Sequence, residues 1–478
     1  MSPFDKARYE RLLEGLEASE VNLCELENEM TIGSEYYGPT YSVPIELLNK
    51  SGYTCEPIES ICSLVTDGDH GSADYVDDGV AFVLSEAIEE GWINKAKCRY
   101  ISSSHAKTLS RSRLETGDVL VTKTGVYFGK STVVDQDFRG ANTIAHVGLL
   151  RLRRDAGFDP HYFSTFLNSR FGQAQLRRRG IKATRPEIKL LEFRDIVAPK
   201  LSGEMQGQVK ATVLAALSQR KKAESALDHA GDLLMNALGL HVWTPPEPLT
   251  YVRTSLEAVA AGRLDAQYFQ PRFAALATMM ATKGSCERLG DQLLFNSRGK
   301  QPEYAYAGLP VINSKHVLRN EVRHNDDNRH AIFDDDSLLI QSGDVLLNGT
   351  GVGTIGRAAA YLHDVSALPD NHVTILRPNN TLDPVYLAVF LNSLAGQLQV
   401  DQRLRGSSGQ IELYPTDIAE FRVWVAPKAL QLDIRRLVEE SFAHRQGATR
   451  LLDAAKRAVE IAIEDGERAA LRQLREPL

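Results

Sequence analysis

The chain has 478 residues, with 55 basic against 62 acidic side chains and a formal charge of −7; 43% of it is apolar and 24% charged. That composition is ordinary for a globular protein and supplies apolar material for two or three cores. It excludes a uniformly basic surface but leaves local basic patches open. No apolar run approaches the roughly 18 residues of a membrane span, and the opening MSPFDKARYE has neither the basic nor the apolar region of a signal peptide. The cysteines Cys24, Cys55, Cys62, Cys98 and Cys286 are scattered without a C-x-x-C pair, which speaks against a disulfide framework and a zinc site. The expected compartment is the cytoplasm.

Residues 1–55 read as a helical extension, with a helix expected over 5–18 through Tyr9, Leu12, Leu13 and Leu16 and the unit SEYYGP at 34–39. From 56 to 202, short β-like runs such as GVAFVLSEAIEEGWI alternate with turns and close on a short helix, YFSTFLNS, and a strand, RDIVAPK. A long helix is predicted over 203–238. Val209, Val213, Leu217, Leu227, Leu234 and Leu238 recur near helical spacing there, with charges between them. Gly239 stops it, and the linker 239–251 is proline-rich. Residues 252–429 then repeat the first pattern. A second long helix is predicted from 430 to about 475, within a distal segment 430–478, through Ile434, Leu437, Val438, Leu452, Ala455, Val459 and Ala462.

The repetition extends to the letters. GDVLVTKTGVYFGKSTVV (117–134) falls on GDVLLNGTGVGTIGRAAA (343–360), and YFSTFLNSRFGQAQL (162–176) on YLAVFLNSLAGQLQV (386–400). EFRDIVAPK (192–200) falls on EFRVWVAPK (420–428), and SEYYGP on AQYFQP (266–271). This is a tandem duplication, roughly 20–238 and 252–470. Each long helix has one apolar stripe and therefore needs a partner. Its own duplicate, packed antiparallel as a coiled-coil spine, is the partner expected; the alternative is its own globular domain.

Gly351, Gly353 and Gly356 spell G-x-G-x-x-G after the run Val345-Leu346-Leu347. A dinucleotide loop must lead into a helix N-terminus. Here the following IGRAAAYL reads as the return strand of a β-hairpin, and the first copy, TGVYFGK, lacks the motif. Other enzyme signatures are missing: there is no [DNS]-P-P-[YFW], H-E-x-x-H or G-x-S-x-G, and GVYFGKS is one residue short of a P-loop. The chain is expected to be non-catalytic. Two readings from other classes stay open: a nucleotide- or dinucleotide-binding enzyme using the 351–356 loop, and a helical protein-interaction scaffold without DNA contact.

Two recognition-type domains, each followed by a long helix, carry the stretches TDGDHGSADYVDDGVAFVLSEAIEEGWI (66–93), GDVLLNGTGVGTIGRAA and AEFRVWVAPKALQLDIRRLVEE. From about 60 to 470 the chain thus resembles the specificity (S) subunit of type I restriction–modification enzymes, or of a type I-like methylation or defence system. The resemblance implies an α+β fold in which two tandem α/β target-recognition domains are joined by two long helices forming an antiparallel coiled-coil spine. It implies a subunit that reads a bipartite, asymmetric double-stranded DNA target. Its partners would be two copies of a methyltransferase (M) subunit, with a restriction (R) subunit as an optional third. S-adenosylmethionine would sit in the methyltransferase, leaving no cofactor in this chain. A helix of about 36 residues spans roughly 54 Å, enough for half-sites up to about 16 base pairs apart.

Charge concentrates in RFGQAQLRRRGIKATRPEIK (170–189), where Arg170, Arg177, Arg178, Arg179, Lys182, Arg185 and Lys189 outweigh Glu187. With Lys107, Arg111, Arg113, Lys123 and Lys130 this forms either a phosphate-facing patch or a solvated face. The matching candidates in the second copy are Lys315, His316, Arg403, Arg405, Ser407, Ser408 and Gln410. Gln410 and Asn348 suit an adenine edge, and Arg357 or Lys315 a guanine or a phosphate, while Asn348 also reads as a turn residue. Thr124 and Thr350 hold equivalent places beside the hairpin; Tyr127 and Phe128 at its tip contact DNA or pack inward. His70, beside Asp67 and Asp69, opens the first recognition domain, and His146 and His372 are equivalent in the two copies. Because GIKATRPEIK faces GSSGQIELYP, the two half-sites are expected to differ.

Overall fold

A computed structural model of the chain describes residues 33–180, 186–324, 328–332, 336–406 and 411–475, with a few positions before 33. Two compact units divide it. The first comprises 1–220 with 446–478, and the second 221–445.

In the first unit the central sheet has four strands: β1 (Cys62–Asp67), β2 (Val119–Thr122), β3 (Ser131–Val133) and β4 (Val147–Leu152), in the order β1-β4-β2-β3. All pairings are antiparallel, with Leu149 opposite Thr66 on one side and Leu120 on the other. Every residue of β2 is buried, so the sheet is covered on both faces. Val119 and Val121 face the helix 160–168 and its core of Tyr162, Phe163, Phe166 and Phe193. Leu120 points the other way, into a smaller core with Val83, Ile88 and Phe138. This is the period-2 alternation of a strand, with both sides apolar. The first long helix, α1 (Gly203–Leu238), lends this unit its N-terminal half, which adds Met205, Val209 and Val213 to the larger core.

The second unit repeats the plan with β5 (Leu293–Arg298), β6 (Val345–Asn348), β7 (Ala358–Ala360) and β8 (Val373–Pro378), in the order β5-β8-β6-β7. Ile375 lies opposite Ser297 and Leu346, the counterparts of Thr66 and Leu120. The smaller sheets match as well. The pair 80–83 and 142–143 is parallel, as is the pair 309–312 and 368–369. The duplication is therefore one of topology and register.

The framework contacts are duplicated side chain for side chain. Arg151 grips the buried Asp118 at 2.7 and 2.8 Å, and Arg377 grips Asp344 at 2.7 and 2.8 Å. Asp159 and Asp383 cap equivalent helices. The Tyr162 hydroxyl donates to Pro199 O at 2.6 Å, and that of Tyr386 to Trp424 O at 2.6 Å.

The second long helix, α2 (Lys428–Asp465), pairs with α1 within each unit. In the first, Ala455, Ala458, Val459 and Ala462 join Val209 and Val213 in one core. In the second, Ile434, Leu437 and Val438 join Ala230, Leu234 and Leu238, and Ser441 Oγ donates to Ala223 O at 2.7 Å. The two run antiparallel, each supplying the apolar stripe the other needs. A short β-hairpin leans on the pair in each unit. Arg220 lies 3.3 Å over Trp92 and Lys456 meets Glu90 at 2.9 Å in the first; Arg445 meets Glu321 in the second.

Gly239 ends α1 with φ +71°, as its position suggests. The distal helix is not continuous to 475. Gly466, at φ +89°, breaks it, and α3 (Glu467–Arg475) follows. Glu467 there accepts from Ser202 N at 2.8 Å, a contact from the start of α1. The units SEYYGP and AQYFQP each lead, through a proline at the first turn, into helices that sequence periodicity did not reveal, 39–50 and 271–281. Most of the helix expected over 5–18 lies outside the described residues. Among those described, no helix is long and apolar enough to cross a membrane.

Candidate nucleic-acid interface

β1 ends at Asp67. The next residue, Gly68, touches the neighbouring backbone so closely that a Cβ would lie 1.9 Å from Thr143 O. The close approach lets Asp69 N donate to Thr143 O at 2.8 Å and Ala145 N to Asp69 O at 2.8 Å, which holds the 67–70 turn against the sheet end. The Asp67 carboxylate, 3% exposed, meets three basic groups: Lys123 Nζ at 2.9 Å, His70 Nε2 at 3.0 Å and Arg111 Nη2 at 3.2 Å. Burial alone would raise its pKa; the hydrogen bonds from Lys123 and His70 outweigh that and hold it below the usual carboxylate value. Asp69 is likewise lowered against its own burial, by the Gly71 amide and by His105 at 3.1 Å. His70 and Arg111 are the outward members of the cluster, with 63% and 61% of their side chains exposed.

The second unit has a different set at the same place. Arg298 ends β5 and pairs in register with Thr374 as Asp67 does with Gly148. Gly299 follows it, and a Cβ there would lie 2.2 Å from Asp370 O. Arg298 Nε donates to Asn371 O at 2.7 Å and Nη2 to Glu412 at 3.3 Å. The Tyr414 hydroxyl donates to Glu412 and is the main reason its pKa is lowered. Thr350 Oγ1 and His372 Nδ1 lie 2.6 Å apart, and Arg405 forks onto Asp417 at 2.8 and 2.6 Å.

Several sequence expectations are corrected here. Lys123 is buried beneath Asp67 and does not face solvent. Arg178 is also buried, its guanidinium 4.1 Å over Tyr36 and 5.2 Å from Tyr37, and the buried Arg179 donates to Gln175 O at 3.2 Å. The run is helical from Arg170 to Gly180, and two of the arginines there are turned inward and do not join one cationic face. Asn348 is fully buried, and its amide nitrogen donates to Ser314 O, Val317 O and Thr354 O at 3.0, 3.1 and 3.3 Å, so it has no donor for an adenine edge. His316 is buried, with Nδ1 3.2 Å from both Asn313 N and Asn328 Nδ2.

Among the remaining candidates, Thr124 is buried in a bridge to Glu187. Lys130 is held by Glu89 at 2.5 Å, beside the half-buried Tyr127; Phe128 packs inward. Lys315 is exposed, and Arg357 donates to Gly353 O at 2.5 Å across its own turn. Lys182, Arg185, Ser407, Ser408 and Gln410 lie outside the described residues.

The glycine motif is a hairpin turn. β6 and β7 pair antiparallel across it, and Gly351, Gly353 and Gly356 take φ of +96°, +80° and +78°. No helix follows to present its N-terminus to a pyrophosphate, so the dinucleotide reading lacks its structural context. Among the described residues no group of three or more His, Cys, Asp or Glu is placed to hold a metal.

Sequence reading passed over Arg298, Glu412 and Tyr414, and named Arg111 only as one member of a basic patch. The available signal was Asp67-Gly68 against Arg298-Gly299, equivalent strand ends of opposite charge.

The fold and this pair of sites define a duplicated α+β protein whose two copies share a framework and carry different polar side chains at the same strand end. No protein-family model and no curated protein matches the chain. Among solved structures it is similar to specificity subunits of type I restriction–modification systems. The HsdS subunit from Thermoanaerobacter tengcongensis has 17% identity, with 88% of this chain and 96% of that one covered and a TM-score of 0.27. The type I S subunit from M. genitalium has 12% identity, 89% and 97% coverage and a TM-score of 0.38. A chain from a structure of type I R-M complex assembly and conformational transition has 16% identity, 88% and 96% coverage and a TM-score of 0.28.

Proposed function

We propose that this chain is a non-catalytic DNA-recognition subunit that reads a bipartite, asymmetric target and docks adenine-methyltransferase subunits. One observation carries the reading. At the same register position of the same fold, one copy presents Asp67 with Lys123, Arg111 and His70, and the other Arg298 with Glu412 and Tyr414. The framework pairs Asp118–Arg151 and Asp344–Arg377 are meanwhile unchanged. A reader of two different half-sites would keep the scaffold and vary the point of contact. Residues 56–202 and 252–429 are the proposed recognition domains. The paired long helices are the proposed docking surface for two methyltransferase copies, which would bring S-adenosylmethionine; a restriction subunit is a further partner on the same reading.

Adenine-methylation mapping in cells that carry the intact system tests it. A methylated motif of two separated parts should vanish when this chain is deleted. Gel shifts with the purified chain, alone and with the methyltransferase, separate recognition from scaffolding: methylation without sequence dependence on this chain would leave only a helical scaffold.

A further inference from the structure

The strand-end charge inversion says what chemistry each copy reads, granted that the chain is a DNA reader as proposed above. In the first copy the buried Asp67 is neutralised from beneath by Lys123, 9% exposed. The outward Arg111 shares that single carboxylate with Lys123, so Asp67 does not cancel both cations. One of its amines is tied back to Asp67 at 3.2 Å while 61% of the side chain is open. A guanidinium oriented from behind by a carboxylate offers its remaining N–H groups as a fork, the shape that matches the O6 and N7 acceptors of guanine in the major groove. In the second copy the inner member is a cation, Arg298, 21% exposed, and the outer member a carboxylate, Glu412, 36% exposed. Glu412 receives hydrogen bonds from Arg298 and Tyr414, which leaves about two of its roughly four acceptor positions for an incoming donor. The donors that a base edge offers in the major groove are the exocyclic amino groups of cytosine and adenine.

We propose that the first copy reads a guanine through Arg111, positioned by Asp67, and that the second reads an exocyclic amino group through Glu412, positioned by Arg298 and Tyr414.

The test is selection from a randomised duplex DNA library by the full-length chain in complex with its methyltransferase. Wild type should enrich two separated half-sites, one with a fixed guanine and one with a fixed cytosine or adenine. Arg111→Ala should relax the guanine alone, by roughly ten- to hundredfold in preference, with the other half unchanged; Arg111→Lys should retain part of the preference. Glu412→Gln should relax one position in the other half only. Both side chains are exposed enough that their loss spares the fold, and circular dichroism checks this. The assignment is overturned if either variant leaves the motif unchanged, relaxes the wrong half, or weakens every sequence equally, as a phosphate contact would. A wild-type chain that enriches no motif overturns the recognition reading itself and this assignment with it.

Discussion

Replacing Arg377 by methionine tests whether the duplicated framework pairs hold the modules together. Asp344 is 1% exposed and accepts two hydrogen bonds from Arg377, at 2.7 and 2.8 Å, and one from Gln341 N at 2.8 Å. Without the guanidinium, a buried carboxylate keeps one donor. Breaking a buried pair from one side costs about 3–5 kcal/mol. Arg377 is itself 29% exposed, so water reaches the vacated site and trims the cost to about 2–3 kcal/mol. For a body of this size each kcal/mol moves the melting temperature by about 2–4 °C, which gives a fall of about 4–12 °C. Scanning calorimetry of the intact chain reads it. The double variant Asp344→Leu with Arg377→Met should recover most of the loss, because two apolar side chains leave no orphaned charge. A shift below about 1 °C for Arg377→Met, or a double variant less stable than the single, would refute the reasoning.

Three further outcomes follow from the geometry. His161 is half-buried where the second copy has Val385; its partial burial pushes the imidazole below the ordinary value, with Lys210 adding to this and Asp159 opposing. The unfolded chain therefore takes the proton first, and stability falls as pH drops through about 6.5. His161→Val should flatten that fall between pH 7 and 5.5 in urea titrations, and identical pH slopes would count against it. Gly68→Ala forces a Cβ to within 1.9 Å of Thr143 O, so the 67–70 turn must shift and DNA selection by the first half-site should be lost while the second persists. Arg178→Ala should lower the melting temperature through the lost stack on Tyr36 and Tyr37, and leave the salt dependence of DNA binding unchanged; a salt slope reduced by about one would instead make it a phosphate contact.

Local pattern made the architecture legible. The tandem duplication, both long helices, the stop at Gly239 and the hairpin nature of the glycine motif all follow from spacing and turn chemistry within a few residues, and a repeat doubles each signal. Gly466 escaped because good helix formers flank it, and its break goes with a distant contact, Glu467 on Ser202. The direction of a side chain was decided elsewhere. Arg177, Arg178 and Arg179 are adjacent letters of one type, yet the latter two are buried, Arg178 against Tyr36 and Tyr37 and Arg179 with Nη2 on Asp195 O at 3.4 Å, groups that sequence order does not bring near.

What the sequence determined alone is that one unit is written twice and that a long helix follows each copy, because periodicity and similarity are properties of the chain itself. Which polar groups meet was decided only by tertiary structure: Asp67 reaches Lys123 across 56 positions and Arg111 across 44. A charge's chemistry depends on the partner the fold supplies and on how much water that partner leaves it.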